Sequence, residues 1–234
     1  MINFVQELFS YGFIIRAFIA GSLIALCAAL LGVILVLKRY SMIGDGLSHV
    51  GFGTMAIAMA FNFAPLAVSI PICVLAAFLL LRVSSSSNIK GDAAIALISS
   101  SSLAIGILVT SLTSGLNTDV TSFMFGSILA ISKADLIVSV ILAVIVIGLF
   151  VIFYNKIFLV TFDENFAKAT GLKVEVYKTV LAVLTALTIV LGMRIMGTLL
   201  ISSLIIFPAL SAMRVTKNFK RVMVVSVIIS LVCF

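Results

Sequence analysis

From Ala17 to Leu37 the chain runs 21 residues without a charged side chain. A helix crossing a hydrocarbon core of about 30 Å needs about 20 apolar residues. Comparable runs recur over 42–61, 66–81, 93–112, 136–153, 179–193 and 195–213. An eighth begins near Val222 and is still apolar at Phe234. Lipid offers the backbone no hydrogen-bond partner, so such segments fold as helices or as closed barrels, and barrel strands are only about 9–11 residues long. The run lengths therefore predict an all-α, polytopic membrane protein with about eight spans, in a single domain over residues 1–234. Composition agrees: 63% of residues are hydrophobic and 10% charged, against about 45–50% and about 25% in soluble domains. The last run, as helix, rises only about 20 Å, so further chain is expected beyond Phe234. The positive residues follow the first run instead of preceding it, so no cleavable signal peptide is expected.

Lysine and arginine orient the bundle. With the N-terminus outside, Lys38 and Arg39, Arg82 and Lys90, the 156–178 lysines and the 214–221 basic cluster all fall on the inner side. Only Arg16, Lys133 and Arg194 fall outside, a strong positive-inside bias. The net charge of +7 thus belongs to the membrane surface and not to a nucleic-acid footprint. Cys27, Cys73 and Cys233 stand singly in apolar runs without metal-ligand spacing, as small buried hydrophobes do. Val120–Ile131, too polar for a span, reads as a short re-entrant or surface helix on the outer side, tolerated where protein or a wet cavity covers it.

Asp45 is the acidic residue this reading places inside a span. It opens the second run in MIGDGLSHVGFG, four residues before the single histidine, His49. Residues i and i+4 share a helix face, with Cβ atoms about 5–6 Å apart. A carboxylate oxygen and an imidazole nitrogen so placed can converge on one Zn²⁺, Mn²⁺ or Fe²⁺. A charged side chain within a span is costly and calls for a partner. Three readings of the pair stand at this point: neutralisation of the Lys38–Arg39 cluster, a metal path, or a proton relay. Gly44, Gly46, Gly51 and Gly53 read as close-packing positions, as do Ser99–Ser102. Asp92 suits the start of the fourth span, and Pro208 is expected to kink the seventh. Asp163 and Glu164 open a short amphipathic helix that Gly171 closes, lying against the bilayer or docking a partner.

KRYSMIGDGLSHVGFG resembles the second membrane helix of permease subunits of ABC-type importers for zinc, manganese and iron(II). Lys38, Arg39, Ser41, Gly44, Asp45, Leu47, Ser48 and His49 match in order. GDAAIALISSSSLAIGIL, FMFGSILAIS, TFDENFAKATGL and MGTLLISSLIIFPALSA are similar to further stretches of the same family in order and spacing, over about residues 17–216. The resemblance implies a type II ABC importer-like bundle in a bacterial cell membrane. It further implies a homodimer served by a cytoplasmic ATP-binding subunit and an extracellular metal-binding protein. Asp45 and His49 map onto the family's ion-contacting pair. Residues 162–172 map onto the coupling helix, with Phe162, Asp163, Phe166, Ala167 and Gly171 at the matched positions. The transported substrate would be Zn²⁺, favoured by the flanks of the motif, or Mn²⁺ or Fe²⁺, with no resident cofactor. No G-x-x-x-x-G-K-[ST] loop is present, so the chain is expected to be no enzyme and ATP hydrolysis falls to the partner. The route would run from a gate near Asn117–Ile131, past Asp45 and His49, to the inner ends of the spans. The alternatives are a proton-coupled secondary transporter using the same Asp/His pair, and a membrane scaffold in which the pair is structural.

Overall fold

The structure is a computed structural model describing residues 11–86, 91–113, 125–126 and 132–234, and every regular element among them is helical. The helices are α1 (Gly12–Leu37), α2 (Ser41–Ala60), α3 (Pro65–Ser86), α4 (Gly91–Leu112), α5 (Lys133–Ile152), α6 (Tyr154–Phe162), α7 (Glu164–Ala169), α8 (Val174–Met196), α9 (Thr198–Val215) and α10 (Phe219–Cys233). Each of the eight apolar runs is a helix. Five helices, α1, α4, α5, α8 and α9, are long and apolar enough to cross a membrane. The second run falls short on hydropathy because Asp45, His49 and four glycines dilute it. The last run forms a helix of 15 residues. Several helices begin before their apolar run: α8 starts at Val174, not Thr179, adding a turn that carries Glu175 and Lys178. Hydropathy marks the stretch within lipid, whereas the helix continues wherever its backbone bonds do. The expected re-entrant segment and gate at 117–131 lie outside the described residues except for Phe125 and Gly126.

Two of the reversals share one device. At the end of α1, Tyr40 N–H donates to the Leu35 carbonyl and Arg39 N–H to that of Val36, with Arg39 at φ +61. This is a Schellman turn, with an arginine in the left-handed position that usually falls to glycine. At the end of α2, Asn62 (φ +56) takes that position, and Phe63 N–H donates to the Ala58 carbonyl. The α8–α9 junction is Gly197, at φ +85 and ψ 165. That region is essentially restricted to glycine, so one residue breaks what would otherwise be a continuous helix from Val174 to Val215. Pro208 lies inside an unbroken α9.

α1 and α8 form the centre, 72% buried over their most apolar windows, whereas α4, at 17%, lies on the periphery. Association in lipid relies on close backbone approach at small residues, and the glycines show where it occurs. A Cβ on Gly32 of α1 would stand 2.0 Å from the Ile205 carbonyl oxygen of α9, and one on Gly53 of α2 would stand 2.6 Å from the Ser102 carbonyl oxygen of α4. Gly46 abuts Ile95 of α4, Gly44 abuts Ile205, and Gly51 meets Met193 of α8. The packing role read for these glycines is what the structure shows. Gly32→Ala and Gly53→Ala, each forced against backbone, are expected to lower stability by about 1–3 kcal/mol, measured by thermal unfolding in detergent. Gly148→Ala in α5, where a Cβ meets nothing within 4 Å, is expected to be neutral or to gain up to about 1 kcal/mol.

Candidate functional site

With its glycine-bearing faces committed to α4, α8 and α9, α2 leaves one strip open. Asp45 and His49 lie on it, with side chains 38% and 18% exposed and Asp45 Oδ1 3.6 Å from His49 Nε2. That separation is too long for a hydrogen bond. Two donors each about 2.0–2.2 Å from one tetrahedral ion stand roughly 3.4 Å apart, so the pair is spaced as two ligands of a shared cation would be. His49 Nδ1 is buried without a hydrogen-bond partner among the described residues. The adjoining Ser48 faces the other way: its hydroxyl donates to the Asp45 carbonyl oxygen at 2.7 Å and lies 3.0 Å from the Ser202 hydroxyl of α9. Ser48 thus holds the turn of α2 that carries Asp45 against α9. Among the described residues no group of three or more His, Cys, Asp or Glu side chains could hold a metal, so one protomer offers two donors.

Of the Lys38–Arg39 cluster that the charge-neutralising reading pairs with Asp45, Lys38 is committed elsewhere. Lys38 turns to Glu164 instead, and Glu164 also accepts from Lys178 at 2.7 Å. Among the described residues His49 is the one ion-pair partner of Asp45. The Lys38 side chain is 8% exposed and that of Lys178 14%, so two ammonium groups share one carboxylate at the lysine-rich end of the bundle. Burial pushes the Lys38 ammonium pKa down, and its bond to Glu164 offsets this only in part. Burial on its own would raise the Glu164 carboxyl; hydrogen bonds from Lys178 and Lys38 outweigh it and hold the group below its usual range.

At the opposite end, Ser132 and Asp135 form a capping box on α5, and Asp135 accepts from Arg194 at 2.7 Å. The sequence reading missed both clusters. Their members stand 126 and 59 residues apart, and neither spacing carries a signal.

The 162–172 segment has the expected local form. Asp163 caps α7 by accepting from Phe166 N–H at 2.9 Å, and Gly171 ends it at φ +81. Phe162 and Phe166 are each 56% exposed. Phe162 also stacks on Phe158, with ring centroids 4.7 Å apart. Ala167 points the other way, filling a small cluster with Val160 and Val174. Asp92 falls in the first turn of α4.

The fold and site together define a multi-pass, all-helical membrane permease with a polar pair on the face that its packing leaves open. Residues 10–234 match the ABC 3 transport family, and the chain belongs to it. It is 31% identical over 224 residues to the manganese import system permease protein ScaB of Streptococcus gordonii, covering 96% of this chain and 80% of that one. It is 29% identical over 202 residues to the high-affinity zinc uptake system membrane protein ZnuB of Haemophilus influenzae, covering 86% and 77%. The solved structure of PsaBC from Streptococcus pneumoniae in complex with Fab superposes with a TM-score of 0.84 at 30% identity, covering 99% of this chain and 84% of that one. The family read from the sequence motifs and the polytopic helical class are both borne out.

The lowered Glu164 pKa fixes the sign of a pH effect. A carboxyl held below its unfolded value contributes stability that is present above that value and is lost as pH falls through the folded one. Thermal unfolding of the wild-type protein is therefore expected to weaken as pH drops below 4.5, the ordinary value for this group. The difference between wild type and Glu164→Gln should shrink over the same range; a difference independent of pH would contradict the assignment.

Proposed function

We propose that the chain is the membrane subunit of an ATP-driven importer for a divalent first-row transition metal. It would act as a homodimer with a cytoplasmic ATP-binding subunit and an extracellular metal-binding protein. The observation that carries this reading is the Asp45–His49 pair: one oxygen and one nitrogen donor at ligand spacing, on a partly open strip, with Lys38 committed to Glu164. Two donors make a weak site, which suits an ion that must leave again. Two protomers related by a twofold axis would supply four donors if these strips face each other.

The ion would enter near Asn117–Ile131, contact Asp45 and His49, and leave between the inner ends of the helices as the dimer alternates between two openings. The chain has no phosphate-binding loop, so ATP hydrolysis belongs to the partner. The exposed rings of Phe162, at the end of α6, and Phe166, on the capped helix α7, would seat in it, with Asp163 and Gly171 fixing the ends of α7 and Ala167 anchoring it.

Two cargoes each have an observation in their favour. The GDGLSHVGFG flanks favour Zn²⁺, and the similarity to a permease named for manganese favours Mn²⁺. An oxygen–nitrogen pair suits either. The complex reconstituted in vesicles is expected to take up one of these ions in an ATP-dependent manner. Asp45→Ala and His49→Ala should each lower uptake at least about tenfold, as loss of a metal-site partner does, while the complexes remain assembled. Uptake driven by a proton gradient without the ATPase would establish the secondary-transporter alternative instead.

A further inference from the structure

α7 has six residues, too few to persist as an isolated helix, so its neighbours hold it in place. Asp163 and Gly171 fix its ends and Ala167 seats it in a small apolar cluster. Its first residue, Glu164, makes the connections that reach furthest. One carboxylate oxygen accepts from Lys38, the residue that caps α1, and the other accepts from Lys178 in the second turn of α8.

Lys38 is followed by Arg39 in the left-handed conformation, then by Tyr40, and α2 begins at Ser41. L-residues rarely adopt that conformation, so the turn between α1 and α2 is held under strain by its surroundings. Asp45 lies one turn into α2. Next to these side chains is a cavity of about 30 Å³ between α1, α2, α3 and α8, bordered by Lys38, Tyr40, Leu47, Ala77 and Lys178. That space is about the size of one water, and it lies beside the two lysines that hold Glu164.

We propose that Glu164, clasped between Lys38 and Lys178, is the positioning residue that passes movement of α7 to the α1–α2 turn and so to Asp45 and His49. This rests on the reading of the chain as the membrane subunit of an ATP-driven metal importer. It adds that an electrostatic link carries the coupling. The link has the right anatomy. One end sits on a short helix whose Phe166 ring is exposed, and the other on the strained turn that begins the metal-contacting helix. Removing the Glu164 charge would leave the largely buried Lys38 ammonium without its ion-pair partner and Lys178 with only the exposed Glu175, 3.6 Å away on its own helix, so the tie between α7, α1 and α8 would be lost.

The test uses the assembled, vesicle-reconstituted complex and reads ATP hydrolysis and uptake of Zn²⁺ and Mn²⁺ together, as ions moved per ATP. Glu164→Gln is expected to keep ATP hydrolysis near the wild-type rate while ions moved per ATP fall roughly tenfold, the scale of a typical coupling between sites. Lys38→Gln is expected to give the same loss and Lys38→Arg to restore most of it. The double variant Lys38→Gln/Glu164→Gln should be no worse than either single one, as partners in one interaction behave. An unchanged ratio in Glu164→Gln or Lys38→Gln overturns the proposal, as does an equal fall in hydrolysis and uptake, the mark of a structural role. If Glu164→Gln fails to assemble, Lys38→Gln decides, because the Glu164–Lys178 pair still holds α7 there. The two levels separate cleanly. A wild-type complex that hydrolyses ATP but moves neither ion overturns the function and this proposal with it. Wild-type uptake abolished by Asp45→Ala, with the ratio untouched by Glu164→Gln and Lys38→Gln, overturns the proposal alone.

Discussion

Two helices in lipid gain little by hiding apolar surface from each other, because the surrounding chains are as apolar as they are. What holds α2 is how closely its backbone can approach its neighbours, and four missing side chains set that distance. Gly44 admits Ile205 of α9, Gly46 admits Ile95 of α4, Gly51 admits Met193 of α8, and Gly53 lies against the backbone of Ser102. With those faces occupied, the remaining strip of α2 is defined by elimination, and Asp45 and His49 are on it. The same glycines that fix the packing thus decide which side chains of α2 are left on its open strip. A larger residue at any of them would shift the helix that carries the site, and the site's chemistry would change through geometry alone.

Charge is spent sparingly and at the two ends. In the middle of the bundle polar side chains satisfy themselves locally: Thr185 and Thr188 donate to carbonyls one turn back, and so does Ser139. Such bonds add little specificity between helices. Two neutral links cross between helices there, Ser48 with Ser202 and Ser230 donating to the Ala25 carbonyl, whereas the long-range ion pairs lie at Lys38–Glu164–Lys178 on the lysine-rich side and at Asp135–Arg194 on the other. Breaking a buried ion pair costs far more than forming it gains, because the surviving charge stays buried. These links therefore specify which ends meet more than they stabilise the fold. Asp45 and His49 are the exception, an ionisable pair on the partly open strip of α2 with no third partner among the described residues, and the proposed function rests on that exception.

Physics that acts locally was legible in the sequence. Bilayer thickness imposes run lengths, so all eight helical segments could be placed. The i, i+4 spacing put Asp45 and His49 on one face. The Asp163 cap and the Gly171 stop follow from backbone preferences within a few residues. Helix starts were read late, as at α8, because Glu175 and Lys178 lower hydropathy without ending the helix. What needs the folded chain was not legible. Lys38 and Glu164 are 126 residues apart, and a count of inner-side lysines treats Lys38 and Lys178 as topology signals with no hint that they share a carboxylate. Arg194 and Lys133 were counted as outer charges, yet among the described residues only Arg194 meets a carboxylate. Ala167 belongs to a motif together with Phe162 and Phe166, but its side chain turns inward while theirs turn out, a division that needs three dimensions to see.

α8 connects the two charged ends. Its 23 residues span about 35 Å at 1.5 Å per residue, and it is among the most buried helices of the bundle. Near its start Lys178 holds Glu164; near its end Arg194 holds Asp135. One residue past that end, Gly197 turns the chain into α9, and Gly126 lies against this junction so closely that a Cβ would stand 2.5 Å from the Met196 carbonyl carbon. α9 in turn meets α2 at Ser202–Ser48 and at Ile205–Gly44, flanking the turn that carries Asp45. A helix of this length transmits displacement with little loss, since its own hydrogen bonds resist stretching while its side-chain packing permits tilt. The glycine junction lets α8 tilt without dragging α9 through the same angle. The Asp45 turn therefore sits between two inputs, the strained Arg39 reversal on one side and α9 on the other, and both trace back to helices that Glu164 touches. If the Asp45–His49 pair holds an ion as proposed, two donors need only a small relative shift to gain or lose it, and the long-range links of the bundle meet next to that pair.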